Sequence, residues 1–167
     1  LPLDVFLKSG LSGAQVYTEG ARGHWMNISI PCSTLAYLVG YFVGDGWICG
    51  STVCFAVPEQ SEKDFMTHIE GLFNVASVGV DIRKGNGKSV EIRLSNKALS
   101  DMFRNMFFDQ KVGDKRLPVD IFNWDRKSQE LVLQGLIDSD GHASIRSGNK
   151  RRVYYTTISE RLAQDMC

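Results

Sequence analysis

The sequence predicts an α+β fold made of two pseudo-symmetric halves that pack through a pair of helices. The first observation is an apolar segment that occurs twice, at 38–46 and at 133–141, with the copies 95 positions apart. Both copies begin with Leu, carry Gly at the third place and end in Asp-Gly. The second observation is that alternating, strand-like segments separated by amphipathic helices follow the first copy, and the pattern restarts after the second. Similar segments at a fixed offset are typical of an internally duplicated fold.

Each copy predicts a helix whose contact face is made of small residues. Gly40 and Gly44 are four positions apart in the first copy, as are Gly135 and Ser139 in the second. Residues at this spacing share one helix face, and a glycine within a helix costs about 1 kcal/mol relative to alanine. Close approach of two helix backbones would compensate for that cost. We therefore expect these four residues to form the interface between the two helices.

Two acidic residues are predicted to meet at the tips of these helices. Asp45 and Asp140 end the motif copies, and the glycine after each one is a helix C-cap signal. The negative end of a helix dipole disfavours a carboxylate, and two adjacent carboxylates raise each other's pKa. A divalent cation between them would reverse both penalties. The pair therefore indicates a candidate cation site.

The doubled motif closely resembles the LAGLIDADG motif of homing endonucleases. In single-chain members of that family, two such helices join pseudo-symmetric αββαββα halves, and the last Asp of each motif binds Mg²⁺. The resemblance implies that Asp45 and Asp140 are catalytic metal ligands, with the carbonyl oxygens of Gly44 and Ser139 as further ligands. It implies a site-specific endonuclease that acts on double-stranded DNA by Mg²⁺-dependent phosphodiester hydrolysis. It also implies a monomer with pseudo-twofold symmetry.

The predicted elements divide the chain into a lead-in at 1–33, a first half at 34–118 and a second half at 119–167. A short strand is predicted before Pro31, and Ser33 or Thr34 is the predicted N-cap of the first motif helix. The Ile30-Pro31 step is similar to the segment that leads from the splicing domain into the endonuclease of inteins. The chain lacks an initiator Met and stops early in the second half. We therefore expect truncation at both ends, an incomplete second half and an inactive chain on its own.

The first half is predicted to continue with two strand pairs and two helices. Strands are expected at 47–49 and 51–57, followed by a helix that begins near Ser61. The segments 78–83 and 89–94 alternate around an Asn-Gly turn, which predicts a hairpin. Asn96 is the predicted N-cap of the next helix. The side chains expected to pack inward from the first helix and the hairpin are Phe65, Met66, Ile69, Leu72, Phe73, Val80, Ile82, Val90, Ile92 and Leu94.

Basic side chains cluster after both motif copies, although the formal net charge is zero. In the resembled family the strands lie along the DNA major groove, which a two-stranded ribbon can enter. Such clusters are also typical of solvated hairpin faces, so they indicate DNA only together with the motifs. The DNA-facing candidates are Arg83, Lys84, Lys88, Glu91 and Arg93 in the first half and Arg146, Lys150, Arg151 and Arg152 in the second.

A further catalytic candidate lies between the halves. The segment Lys115-Arg116-Leu117-Pro118 is similar to a Lys-x-x-Pro segment of intein-borne members, whose lysine lies near the scissile phosphates. The resemblance implies that Lys115 stabilises the charge of the reacting phosphate or orients the attacking water. The alternative is a surface lysine in a linker. Downstream, a hairpin is predicted to turn at 147–149, and Ser159 is predicted to cap the next helix.

Other classes of function are less consistent with the sequence. The four cysteines show no C-x-x-C spacing and the three histidines are scattered, which argues against a zinc site. No signal peptide or membrane-spanning run is found, so we expect a cytoplasmic protein with neither membrane nor small-molecule partners. Three alternatives stay open: a non-cleaving nucleic-acid-binding relative such as a maturase or regulator, an intein with splicing activity, and an unrelated phosphatase or assembly module. Splicing residues are absent from this stretch, and the last alternative does not explain the doubled helix.

Overall fold

The computed structural model describes residues 14–19, 25–73, 77–85, 87–107, 115–146 and 150–167. The motif copies form two helices, α1 (Cys32–Asp45) and α4 (Arg126–Asp140), which pack against each other. The other elements, in chain order, are β1 (Ala14–Glu19), β2 (Trp25–Ile30), β3 (Gly46–Cys49), β4 (Thr52–Pro58), α2 (Glu62–Ile69), β5 (Gly79–Lys84), β6 (Ser89–Ser95), α3 (Lys97–Met106), β7 (Gly141–Arg146), β8 (Lys150–Tyr155) and α5 (Glu160–Asp165). The predicted α+β class is confirmed, and the first half has the predicted order αββαββα.

The first half carries an antiparallel sheet with the strand order β3-β4-β6-β5. Its register pairs Phe55 with both Gly46 and Ile92, and pairs Ile92 with Ile82. The second half contains the two-stranded sheet β7-β8, in which Gly141 pairs with Tyr155. A third sheet joins β1 to β2 and contacts α3. The strand β2 was predicted, whereas β1 was not, because the sequence before Trp25 shows no clear alternation.

The core is built around α1, which is buried along nearly its whole length. Every residue from Thr34 to Gly44 is buried, because α4 covers one side of the helix and the sheet covers the other. Aromatic rings fill the space between α1, β4 and α2. The ring of Tyr41 lies 4.8 Å from that of Phe65 in an edge-to-face arrangement, and Phe55 lies 5.4 Å from Phe65. This packing holds the C-terminal end of α1 in a fixed position on the sheet.

Helix α1 does not begin as predicted. Its N-cap is Pro31, with no side-chain cap, rather than Ser33 or Thr34. Proline suits this boundary because its fixed φ is compatible with the helix, and its carbonyl accepts the first helical hydrogen bond from the Leu35 N–H at 3.0 Å. The Thr34 hydroxyl instead donates to the His68 carbonyl at 3.2 Å, which ties α1 to α2.

Two side chains that were expected to be buried are exposed. Ile82 is 43% exposed because β5 is an edge strand with a single neighbour, so the core covers it less than it covers β6. Phe73 is 48% exposed because α2 ends at Ile69 and continues as a 3₁₀ turn over Glu70–Leu72. The turn changes the residue period from 3.6 to 3.0, so Phe73 leaves the apolar face of the helix.

Side-chain caps fix the starts of three other helices. The predicted caps are confirmed: the Asn96 side chain accepts from the Leu99 N–H at 2.9 Å, and the Ser159 hydroxyl accepts from the Leu162 N–H at 3.2 Å. The cap of α4 was not predicted. There the Asp125 carboxylate accepts from the Ser128 N–H at 3.1 Å, and α4 starts at Arg126.

Candidate functional site

The two motif helices are in backbone contact at their small residues. A Cβ atom added to Gly40 would lie 2.7 Å from the Val132 carbonyl carbon, and one added to Gly135 would lie 2.8 Å from the Tyr41 backbone nitrogen. One added to Gly44 would lie 2.6 Å from the Ser139 Cβ atom. Separations this short leave no room for any side chain at these three glycines. The small residues therefore set the distance between the helices, and that distance brings the two helix tips together.

Both tips end in an acidic residue that is followed at once by a strand. Asp45 is the last residue of α1 and Gly46 the first of β3, and Asp140 and Gly141 repeat this arrangement between α4 and β7. The predicted C-caps are confirmed at both glycines, and their backbone is extended, with φ −102° at Gly46 and φ −84° at Gly141. Both positions require glycine because there is no room for a side chain. A Cβ atom would lie 2.5 Å from the Phe42 Cα at Gly46 and 2.6 Å from the Ile137 Cα at Gly141.

The carboxylates of Asp45 and Asp140 affect each other electrostatically. Burial, followed by the charge of Asp140, raises the pKa of Asp45 to about 6, and the positive charge of Lys115 opposes that rise. The Asp140 Oδ2 atom lies 3.4 Å from the point that a Cβ atom on Gly44 would occupy, so this carboxylate lies against the end of α1. The geometry thus places two carboxylates close together at the helix tips, with Lys115 beside them.

Lys115 lies at this same region. Its Nζ atom donates to the carbonyl oxygen of Gly44, and its own carbonyl accepts a hydrogen bond from the Ser159 hydroxyl. The Leu117 N–H donates to the Asp165 carboxylate at 2.9 Å, which holds the same segment against α5. The ammonium group therefore lies at the tip of α1, while contacts from the second half hold the backbone of its segment.

The donor set at the tips fits a hard divalent cation. Among the residues that the structure describes, no group of three or more His, Cys, Asp or Glu side chains could hold a metal. The tips offer two carboxylates, together with the carbonyls of Gly44 and Ser139 in the last helical turns, where carbonyls lack helical partners. The Gly44 carbonyl already accepts a cationic donor. An all-oxygen set of this kind suits Mg²⁺, which keeps several waters.

Two tyrosines at the site were not predicted. Tyr155 lies opposite Gly141 on β8 and is half-buried. Burial and the charges of Asp140 and Asp45 raise its pKa to about 12. Tyr41 is buried, its pKa is raised by burial and by nearby carboxylates that include Asp45, and its hydroxyl donates to the Ala56 carbonyl at 3.3 Å. Tyr155 could have been found by aligning the halves, because it occupies the position that Phe55 has opposite Gly46.

The DNA-facing candidates of the first half do not all lie on one surface. Arg83, Glu91 and Arg93 belong to the face of the sheet turned away from the core, together with Asp81. Lys84 pairs with buried Val90 and so belongs to the opposite face, where it is exposed at the strand end. The fifth candidate, Lys88, is exposed beside the hairpin turn. Asn86 of the predicted turn lies outside the described residues.

The candidates of the second half belong to the β7-β8 hairpin. Arg146 pairs with Lys150, Arg151 pairs with Ile145, and the side chain of Arg152 is exposed. The predicted turn at 147–149 lies outside the described residues, as does most of the lead-in at 1–13 and 20–24.

Comparisons with known proteins agree with the sequence resemblance. Residues 128–166 match the family model described as LAGLIDADG-like domain. A glutamine–fructose-6-phosphate aminotransferase of Methanocaldococcus jannaschii is 25% identical over 116 residues, which cover 67% of this chain and 10% of that protein. An uncharacterized protein of the same organism is 24% identical over 180 aligned positions, which cover 99% of this chain and 20% of that protein. The chain thus spans a fifth or less of the curated relatives.

Among solved structures, a mesophilic variant of the homing endonuclease I-DmoI is 22% identical and gives a TM-score of 0.45. The alignment covers 66% of this chain and 59% of that one. Within the described residues, no helix combines the length and apolar character needed to cross a membrane.

Proposed function

We propose that this chain, whose second motif region matches the LAGLIDADG-like domain, is a metal-dependent nuclease domain that cuts both strands of a specific DNA site. The observation that carries the proposal is the pair of acids at the joined helix tips, with the Lys115 ammonium beside them. A purely structural role would gain nothing from two carboxylates at the negative ends of two helices. A phosphodiester nuclease needs such a cluster, because the reaction builds negative charge that cations must balance.

The residues at the helix tips have different roles in the proposed hydrolysis. Asp45 is ionised at neutral pH because its pKa is about 6, so Asp45 and Asp140 together can hold a divalent cation with the carbonyls of Gly44 and Ser139. When bound, the cation supplies Lewis-acid stabilisation of the phosphate oxygens. The Lys115 ammonium lies within the same cluster and stabilises the charge that develops on the scissile phosphate. Tyr155 keeps its proton at neutral pH and can donate a hydrogen bond.

The domain is proposed to reside in an intein and to use Mg²⁺. An Ile30-Pro31 step leads directly from β2 into α1, as in the resembled inteins. The match to a tenth of a much longer aminotransferase supports a nuclease domain carried within a host protein. The protein sequence that flanks this stretch tests the idea. Splicing residues at both junctions would support it, whereas a free-standing reading frame would contradict it.

A non-cleaving nucleic-acid-binding protein is the second candidate function. It is favoured by the outward sheet face, whose exposed charged side chains could contact nucleic acid without a catalytic site. It does not account for the pair of acids or for the position of Lys115 at the tips.

The two candidate functions can be separated with one target. A duplex library with randomised sequence is incubated with the protein in EDTA, and the bound sequences are recovered. The recovered site is then incubated with Mg²⁺ or Ca²⁺, using the wild type and the variant Asp140→Asn. With this stretch expressed together with the protein sequence that flanks it, we expect Mg²⁺-dependent cutting of both strands by the wild type, and binding without cutting by the variant. Binding without cutting by the wild type would favour the second candidate, and cutting by Asp140→Asn would refute the assigned site.

A further inference from the structure

We propose that Arg83 reads a guanine in the target DNA, that Asp81 holds its guanidinium in position, and that Arg93 is instead committed to the sheet. The inference rests on the proposed function, because it assumes that the outer face of the sheet meets DNA. It assigns different roles to Arg83 and Arg93, which the sequence analysis places in the same set of DNA-facing candidates.

Four charged side chains form an alternating square on the outer face of the β5-β6 hairpin. Asp81 and Arg83 are two residues apart on β5, and Glu91 and Arg93 are two residues apart on β6. The register places Asp81 opposite Arg93 and Arg83 opposite Glu91. Unlike charges are therefore neighbours both along and across the strands, which stabilises the square.

Arg83 has the geometry of a base reader. Its Nε atom donates to the Asp81 Oδ2 atom at 2.7 Å, and within the described part of the chain no second partner contacts its terminal amino groups. The side chain is 59% exposed. Terminal amino groups fixed in this way can donate together to O6 and N7 of a guanine in the major groove. Asp81 accepts from Nε, and a guanine contact made through the two terminal amino groups does not need that donor.

Arg93 is engaged in a different way. One of its terminal amino groups, Nη1, donates to the Glu91 Oε1 atom at 2.6 Å, and the side chain is only 21% exposed. It also interacts with the side chains of Cys54 on the adjacent strand β4 and Cys49 on β3. With one terminal group bound to Glu91 and only about a fifth of its side chain exposed, this guanidinium is less available to a base than that of Arg83. Its role is to close the outer face of β4 and β6, where Cys54 is buried.

The charge balance of the square supports base reading over phosphate binding. Two arginines and two acids give the square no net charge, so it adds little to the attraction that any DNA exerts. Phosphate contacts fall instead to the exposed lysines at the hairpin end, Lys84 and Lys88. Phosphate contacts orient a protein on the duplex and base contacts supply specificity, so the hairpin has both parts.

The test uses the site recovered from the randomised library and the same duplex with each base pair changed in turn. Arg83→Lys keeps the positive charge but loses the planar pair of donors. We expect it to lose about 5- to 150-fold in preference for G·C at one position and to keep its preferences elsewhere. Lys88→Ala is the matched control: affinity should fall equally for all sequences, and the slope of log affinity against log salt should decrease by about 0.9.

The role of Asp81 is tested with two variants. If Asp81 had only a structural role, the two variants would show the same guanine preference. Asp81→Ala removes the acceptor and should lower the guanine preference at the Arg83 position. Asp81→Asn keeps an acceptor oxygen and should largely restore that preference, while the loss of a negative charge raises affinity for all DNA.

The outcomes that overturn the inference are distinct from those that overturn the function. A uniform loss of affinity in Arg83→Lys, or a selective loss of one G·C position in Arg93→Lys but not in Arg83→Lys, refutes the assignment while leaving the nuclease intact. Failure of the wild type to enrich any DNA sequence refutes the assignment and the proposed function together.

Discussion

Replacing Asp45 by asparagine should make the folded protein more stable at neutral pH in the absence of divalent cations. Burial and the neighbouring Asp140 raise the pKa of this carboxyl from 3.8 to about 6, so the folded protein resists its ionisation. A shift of this size has a ceiling of about 3 kcal/mol at 1.36 kcal/mol per pKa unit. Because the group is partly open to solvent, we expect about 1 to 2 kcal/mol. Asparagine imitates the protonated acid and escapes the penalty.

The pH dependence has a defined sign. A carboxyl with a raised pKa binds its proton more tightly in the folded state, so ionisation favours the unfolded chain. The penalty is absent below the unfolded pKa of 3.8, grows as the pH rises to about 6, and is constant above that value. The stability difference between Asp45→Asn and the wild type should therefore appear across this window and stay level at higher pH.

Urea unfolding in EDTA between about pH 4 and pH 8 measures the effect, with Asp120→Asn as the control at an exposed aspartate outside the site. Adding Mg²⁺ should then stabilise the wild type but not Asp45→Asn, because a ligand that binds only the folded state stabilises it. A variant that is less stable than the wild type in EDTA at neutral pH would refute the reasoning. So would a difference that does not change between pH 4 and pH 6.

Three further predictions concern other parts of the site and the helices. Gly135→Ala should destabilise the fold by about 1 to 3 kcal/mol in urea unfolding, because its Cβ would press on the backbone of α1, whereas the control Gly79→Ala, with 3.6 Å to the nearest atom, should change little. Equal effects would contradict the close-packing account. Lys115→Ala should slow cleavage of the recovered site about 100- to 1,000-fold while leaving binding nearly unchanged, and an unchanged single-turnover rate would exclude the proposed role. Asp125→Ala should cost about 1 kcal/mol because α4 loses its side-chain cap, and a loss below the error of the measurement would show that the cap is dispensable.

The helix pair could be predicted from sequence because the physical constraint is local and repeated. Small residues four apart define a face without any knowledge of the partner, and the second copy supplies the partner. The β5-β6 hairpin and the caps at Asn96 and Ser159 were equally local, since each depends on a few adjacent residues. The acids followed from their place at the ends of the copies.

Features that depend on tertiary neighbours could not be predicted in this way. The alternation of β5 places Ile82 with the inward set, but its burial depends on how far the core extends under an edge strand. The glycines after the acids were predicted as C-caps, but the lack of space beside Phe42 and Ile137 depends on the packed structure. Tyr155 reaches the acids because β8 pairs with β7 in the register that pairs Phe55 with Gly46 in the first half, and this equivalence requires the strand pairing of the first half to be known.

The change from helix to strand between Asp45 and Gly46, repeated between Asp140 and Gly141, has a practical consequence. No linker separates the two aspartates from the strands that follow them. The acids that would cut DNA therefore cannot move independently of the sheets that would recognise it. The distance along the duplex from the recognised bases to the broken bonds is then a built-in property of the backbone. Redesigned side chains on β5 and β6 should direct such an enzyme to new sequences, while the cut stays at the same distance from the recognised bases.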